Sequence, residues 1–386
     1  MKRHTKLIYV AYTIIFLIIP LLVMEMLASV LYDNLTTQAG RYAAEVALSS
    51  SFLKYDEISD RPRFIPHPYM LYQLTPNYSG HFKTNSLGYR NEEFTLLKTD
   101  KRVRMLVLGG STTYGAGVDD LKKTWPAKLG ESLKNNCMQE YEVINGGVDS
   151  ASSAEILNGW IYKYRNIKPD IVVLNLGIND IWPILLTKDY STDYSYFRKS
   201  QSYVDATQFS LMLMKLSNVY KVIWSHIFGS TIDSGYPFIQ ALDSDLIKSE
   251  RLDGKVTKRA IENENEGFKN NFEYLVRILQ LDGVKVFVIN EPSMGLEDFK
   301  IKVGGGQSWY SFIAGLENPW LIIKRKNEEI MKSISKKYSA EYFLMDDKAI
   351  DKEMYTDWYH LNEQGEERKA KLIGGVMRER KFVCVR

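Results

Sequence analysis

The sequence predicts an α/β protein: a parallel sheet with helices on both faces. Two observations predict it. Several short runs are apolar throughout, as strands buried on both sides must be, and they alternate with amphipathic stretches of helical period. The residues with chemical potential stand directly after those runs, where open parallel sheets bind their ligands. The 386 residues, 45% hydrophobic and 25% charged, suffice for one large domain with insertions or two modest ones. A net charge of +3 gives no argument for a nucleic-acid partner.

The elements follow in order. MKRHTK is basic, and LIYVAYTIIFLIIPLLV after it carries no charge. Leu7 to Val23 falls slightly short of a membrane span, and Met24 to Leu31 extends it across Glu25. Residues 1–31 are therefore expected to form a cytoplasmic tip and a single transmembrane helix, with the remainder exported to the periplasm or cell exterior. A cleaved signal peptide is the rival reading, since Leu27-Ala28-Ser29 offers small residues. Residues 32–100 are read as a stalk and preamble: helical spacing over YAAEVALSSSFLKYDEI, then extended chain and turns over PHPYMLYQLTPNYSG.

The main domain is expected over 101–386. VRMLVLG (103–109), YEVING (141–146), DIVVLNLG (170–177), VKVFVIN (284–290) and AEYFLMD (340–346) read as five strands. Helices are expected between them, over 124–136 (Pro126 tolerated in its first turn), 152–166, 268–281 and 319–338, and a closing helix over 363–380. Residues 184–265 show no clear strand and read as an insertion over the ligand end of the sheet. Cys137 and Cys384 could pair in an exported domain or stay free; with no histidine near, they make no zinc site.

After the first strand comes GGSTTYG (109–115). Gly110 to Gly115 has phosphate-loop spacing, but Ala116 and Gly117 follow where Lys and Ser/Thr are required. Gly115-Ala116-Gly117 begins a dinucleotide fingerprint, but Asp120 occupies the third glycine's place. A loop presenting Ser111 is what survives. The second strand leads to Asn145-Gly146-Gly147-Val148, the third to Gly177-Ile178-Asn179-Asp180, and the fifth to Asp357-Trp358-Tyr359-His360. Together these residues can carry out acyl transfer. Ser111 needs a base, His360 can be one, and Asp357 can accept the other ring N–H. The N–H groups of Ser111 and Gly147 and the Asn179 amide can meet a developing oxyanion. Asp180 reads as a structural hydrogen-bonder.

The four blocks, in this order, resemble those of the SGNH hydrolases, the GDSL-like esterase/lipase superfamily. Gly110 stands where that family's eponymous Asp is found. The resemblance implies a three-layer α/β/α sandwich around a five-stranded parallel sheet, with a catalytic Ser111, His360 and Asp357 and an oxyanion hole from Ser111, Gly147 and Asn179. It implies no cofactor and no metal. HPYMLYQLTPNYSG and TNSLGYRNEE also resemble the preamble of membrane-anchored bacterial members, whose substrates are envelope or exported glycans.

The expectation is thus a membrane-anchored serine esterase that removes acyl groups, acetyl foremost, from a glycan. An O-acetyltransferase using the same residues and a non-catalytic glycan-binding protein are the alternatives, and lipid esters are a further substrate class. Arg90 is read as a surface ion pair or a contact to an anionic or sugar substrate. Trp309, Tyr310 and the aromatics of 182–225 are core or a carbohydrate cleft. His67, His81 and His226 lack partner spacing for a metal.

Overall fold

A computed structural model describes Tyr9, Ala44 and residues 12–36, 63–80, 82–98, 102–198, 208–232, 244–294 and 315–384. Most of the expected stalk, together with His4, His81, Trp309 and Tyr310, lies outside these residues. The chain divides into two compact units.

The larger unit, residues 63–198 and 244–384 as described, holds seven strands. β1 (Phe64–His67) and β2 (Leu71–Leu74) form an antiparallel hairpin. The other five are β3 (Arg102–Gly109), β4 (Glu140–Asn145), β5 (Ile171–Asn175), β6 (Lys285–Ile289) and β7 (Glu341–Phe343). All five run parallel in the order β4-β3-β5-β6-β7. Every residue of β5 is buried, which is why its sequence shows no alternation.

Five helices cover the sheet: α1 (Trp125–Asn136), α2 (Ser153–Tyr162), α3 (Glu266–Leu281), α4 (Glu317–Lys337) and α5 (Glu363–Glu379). α1 packs against α5, and α3 against both α2 and α4. Right-handed crossovers from this strand order put the two groups on opposite faces. The strand order reverses direction at β3, so a crevice opens at the carboxyl ends of β4, β3 and β5. Local chemistry fixes the helix starts. The Glu155 carboxylate reaches back to the Ser152 N–H at 2.7 Å, and Asn362 Oδ1 accepts the Gly365 N–H at 3.1 Å.

The three-layer fold is as expected. The boundary expected at 101 is not where the compact unit begins: it starts at Arg63, with the preamble inside it. The expected insertion is also divided. Ile184, Leu185, Phe197, Val256 and Ala260 are buried in the core of the larger unit, whereas 208–232 belong to the smaller one.

Among the described residues the smaller unit contains the N-terminal helix, a π turn at Ile14–Ile18 continuing as Ile19–Val30, and three further helices, Tyr32–Leu35, Gln208–Leu216 and Asn218–Ile232. The one charge in the apolar run is satisfied by a helix end: Glu25 accepts the Asn218 N–H at 2.6 Å and the Ser217 hydroxyl. Phe16, Leu17, Leu22 and Val30 are exposed. Among the described residues no helix is long and apolar enough to cross a membrane.

Cys137, just beyond α1, and Cys384 form a disulfide across 247 residues, with Cα atoms 5.0 Å apart. A cross-link closing so long a loop constrains the unfolded chain strongly. Cys137→Ser should lower unfolding stability by about 2–5 kcal/mol. Urea unfolding with and without reductant checks this: the parent should lose a similar amount on reduction, and the variant none.

Candidate active site

β3 ends at Gly109, and after Gly110 a one-turn helix, Ser111–Tyr114, begins at once. Ser111 is therefore the first residue of a helix, where backbone N–H groups lack intrahelical partners. Among the described residues no acceptor meets its N–H. Its Oγ lies 2.7 Å from His360 Nε2. His360 Nδ1 lies 2.6 Å from Asp357 Oδ2. The other oxygen, Asp357 Oδ1, accepts the N–H groups of Tyr359 at 3.1 Å and His360 at 2.9 Å. The i,i+3 spacing works because the loop folds back on its own carboxylate. Thr356 N–H donating to His360 C=O at 2.8 Å closes that loop.

Burial alone would lower the His360 pKa. The charge and hydrogen bond of Asp357 outweigh it, with Asp149 and Glu291 adding, and hold it above its usual 6.5. Burial pushes Asp357 up, but His360 and the two N–H donors bring it below the ordinary carboxylate range. The pair is thus tuned to hold a proton on the ring once Ser111 gives one up.

The three expected oxyanion donors are not equivalent. Asn179 Nδ2 gives one hydrogen to Ala151 C=O at 2.9 Å and keeps a second. Its amide rests against Gly110, where a Cβ would stand 2.3 Å from Nδ2; this is the position at which the family's eponymous Asp is missing. Ser111, Asn179, Gly110, Ala151 and Asn175 line one hollow of about 10 Å³. The Gly147 N–H is already engaged, donating to Asn145 Oδ1 at 2.9 Å. A Cβ at Gly147 would lie 2.3 Å from Tyr114 N, so the glycine lets this loop press on the Ser111 helix.

Residues 107–368 match the model of the GDSL-like lipase/acylhydrolase family. The chain belongs to this family. Similar solved structures include an acetylxylan esterase mutant from Geobacillus stearothermophilus, 13% identical, which matches over 76% of this chain and 99% of its own with a TM-score of 0.41. A GDSL-like lipase from Bacteroides thetaiotaomicron is 13% identical, over 72% and 88% of the two chains, with a TM-score of 0.37. No curated protein matches the chain. As a family member the protein is a serine hydrolase of esterase type. The arrangement around Ser111 is equipped for that chemistry.

Asp180 is the structural hydrogen-bonder expected, while the residues behind Ser111 take places the sequence did not reveal. Asp180 is wholly buried and accepts from the Ser153 N–H and hydroxyl and from the Tyr194 hydroxyl; burial raises its pKa to about 6 against those bonds. Behind Ser111, Glu291 accepts from Asn175 Nδ2 at 2.7 Å and Lys369 Nζ at 2.5 Å. Beside them Glu366 accepts the Trp125 N–H, and burial raises its pKa to about 8 despite Lys369. Arg90 corrects its reading: it is neither a surface ion pair nor exposed to substrate, but 1% exposed and bonded to main-chain carbonyls. A concavity of about 680 Å³ lies at the opposite end of the sheet, near Val103, Ile171 and Lys285, away from Ser111.

Two pH effects follow. His360 accepts a proton only when neutral, so kcat/KM should rise with pH along a limb centred above 6.5. Asp357→Asn should move that limb downward and lower kcat by about 10³–10⁴-fold; a pH–rate profile of both proteins checks it. Glu366 binds its proton more tightly folded than unfolded, so it lowers stability as pH rises from about 4.5 to about 8. Glu366→Gln should flatten that fall in urea-unfolding series and leave kcat within about 3-fold, since an uncharged amide keeps an oxygen acceptor for the Trp125 N–H.

Proposed function

We propose that the protein is a membrane-anchored serine esterase that removes short acyl groups, acetyl foremost, from a glycan on the exported side. The observation that carries the reading is the unbroken hydrogen-bond chain from Ser111 through His360 to Asp357. Ser111 attacks the ester carbonyl as His360 takes its proton, and Asp357 steadies the imidazolium. The Ser111 N–H and the second Asn179 N–H stabilise the tetrahedral oxyanion; Gly147 joins them by sharing the N–H that Asn145 now holds. The alcohol leaves with the proton from His360, and water, activated by the same ring, releases the acid from acyl-Ser111.

Two further features support the finer parts. The disulfide suits an oxidising compartment outside the cytoplasm. The N-terminal helix exposes apolar side chains along its length, and its one carboxylate is satisfied by a helix end, which lowers the cost of placing it in lipid. The same acyl-Ser111 could pass its group to a sugar hydroxyl, and product analysis separates the two outcomes.

The parent should release nitrophenol from p-nitrophenyl acetate, with Ser111→Ala and His360→Ala slower by on the order of 10³-fold or more. Parent-like hydrolysis by Ser111→Ala would remove the mechanism. With an acetylated oligosaccharide the expected product is free acetate; acetyl recovered on an added sugar acceptor would assign transfer instead. Full-length protein should stay with membranes through carbonate extraction, and a chain lacking residues 1–36 should not.

A further inference from the structure

The preamble motif TNSLGYRNEE, 84–93, is left without a task by the acyl chemistry, yet it is folded into the larger unit. Asn85 organises it as a tight turn. Its Oδ1 accepts the N–H groups of Leu87 at 3.1 Å and Tyr89 at 2.9 Å, and its own N–H donates to Tyr89 C=O at 2.9 Å. Glu93 fastens the outer side, accepting the Ser86 N–H and hydroxyl, each at 2.7 Å. The turn throws the next side chain, Arg90, into the interior.

There the guanidinium lies against the rings of both Phe82 and Tyr114, 4.6 Å from each centroid. Nη1 donates to Tyr114 C=O at 2.9 Å and Gly115 C=O at 2.6 Å. Nη2 donates to Asp119 C=O at 3.0 Å and also to Val118 C=O. These carbonyls end the one-turn helix that Ser111 begins, and the loop beyond it. A helix this short has almost no bonds of its own to hold it. Asn91, next in sequence, accepts the Asn145 N–H at 3.2 Å, and Asn145 Oδ1 holds the Gly147 N–H. One turn of the preamble thus reaches both the Ser111 helix and the Gly147 loop.

We propose that Arg90, seconded by Asn91, is a positioning residue for the nucleophile, holding the Ser111 helix where its hydroxyl meets His360 and its N–H meets the oxyanion. The inference rests on the serine-esterase reading. Only arginine offers donors in a flat fork that can serve four carbonyls at once; lysine keeps the charge but not the geometry. A displacement of about 1 Å at a nucleophile costs on the order of 10²-fold in rate.

The test compares full-length parent, Arg90→Lys and Asn91→Ala by thermal unfolding, by kcat and KM on p-nitrophenyl acetate, and by the rate at which a fluorophosphonate labels Ser111. Arg90→Lys, folded at the assay temperature, should lose about 10–10²-fold in kcat with KM within about 3-fold, and its labelling should slow in proportion. Asn91→Ala should lose several-fold in kcat at little cost in Tm. Arg90→Lys with a lowered Tm but parental kcat and labelling would overturn the proposal and leave Arg90 a purely structural residue. Should Arg90→Lys not fold, Asn91→Ala decides: parental kcat and labelling there overturn it. A parent inert to both reagents would defeat the esterase reading first, and this inference with it.

Discussion

The structure depends on one contact, the hydrogen bond from Ser111 Oγ to His360 Nε2, which joins residues 249 positions apart. Neither partner can be placed by its own segment. Ser111 stands on a single helical turn at the end of β3, and His360 on the loop between a 3-10 turn, Lys352–Met354, and α5. The sheet provides the common frame: β3 sits between β4 and β5, where the crossovers diverge, so three strand ends converge on one crevice. Asp357 then fixes the ring, since one of its oxygens is held by backbone N–H groups while the other meets Nδ1.

Behind that contact the protein buries charge at some cost. Lys369 and Glu291 are almost fully removed from water and paired with each other. Glu366 beside them is pushed toward its neutral form. Such groups add little net stability, because desolvation offsets most of the attraction. What they provide is direction. Glu291 orients Asn175, which lines the hollow beside Ser111, and Glu366 takes the first N–H of α1, whose Trp125 ring donates to Thr112 C=O at 3.1 Å. Polar bonds of fixed geometry thus surround a nucleophile helix too short to hold itself.

Much of this was legible in the sequence, for physical reasons that differ from part to part. Strands buried on both faces must be apolar throughout, so VRMLVLG and DIVVLNLG identified the sheet. Chemistry at strand ends requires particular residue types, so Ser111, Asn179 and the Asp357/His360 pair stood out, and the structure brings them together. Gly147 was legible as an oxyanion donor, but not the engagement of its N–H by Asn145, which depends on a side chain two residues back. Arg90 was noticed and misread, since a lone arginine in a polar stretch gives no sign of four main-chain carbonyls awaiting it. The pairing of Cys137 with Cys384 was left open because no local pattern links positions 247 apart. The division of the insertion between two units was equally hidden: amphipathic helices look alike whichever core they face.

The central claim is that Ser111 carries the acyl group between the two halves of the reaction. Acid-quenching the full-length protein during turnover of an acetyl ester, followed by mass analysis of its peptides, tests this most directly. The account predicts one acetyl group on the peptide containing Ser111 in the parent and none in Ser111→Ala. Turnover with no acetyl on that peptide, or with acetyl on another residue, would contradict it.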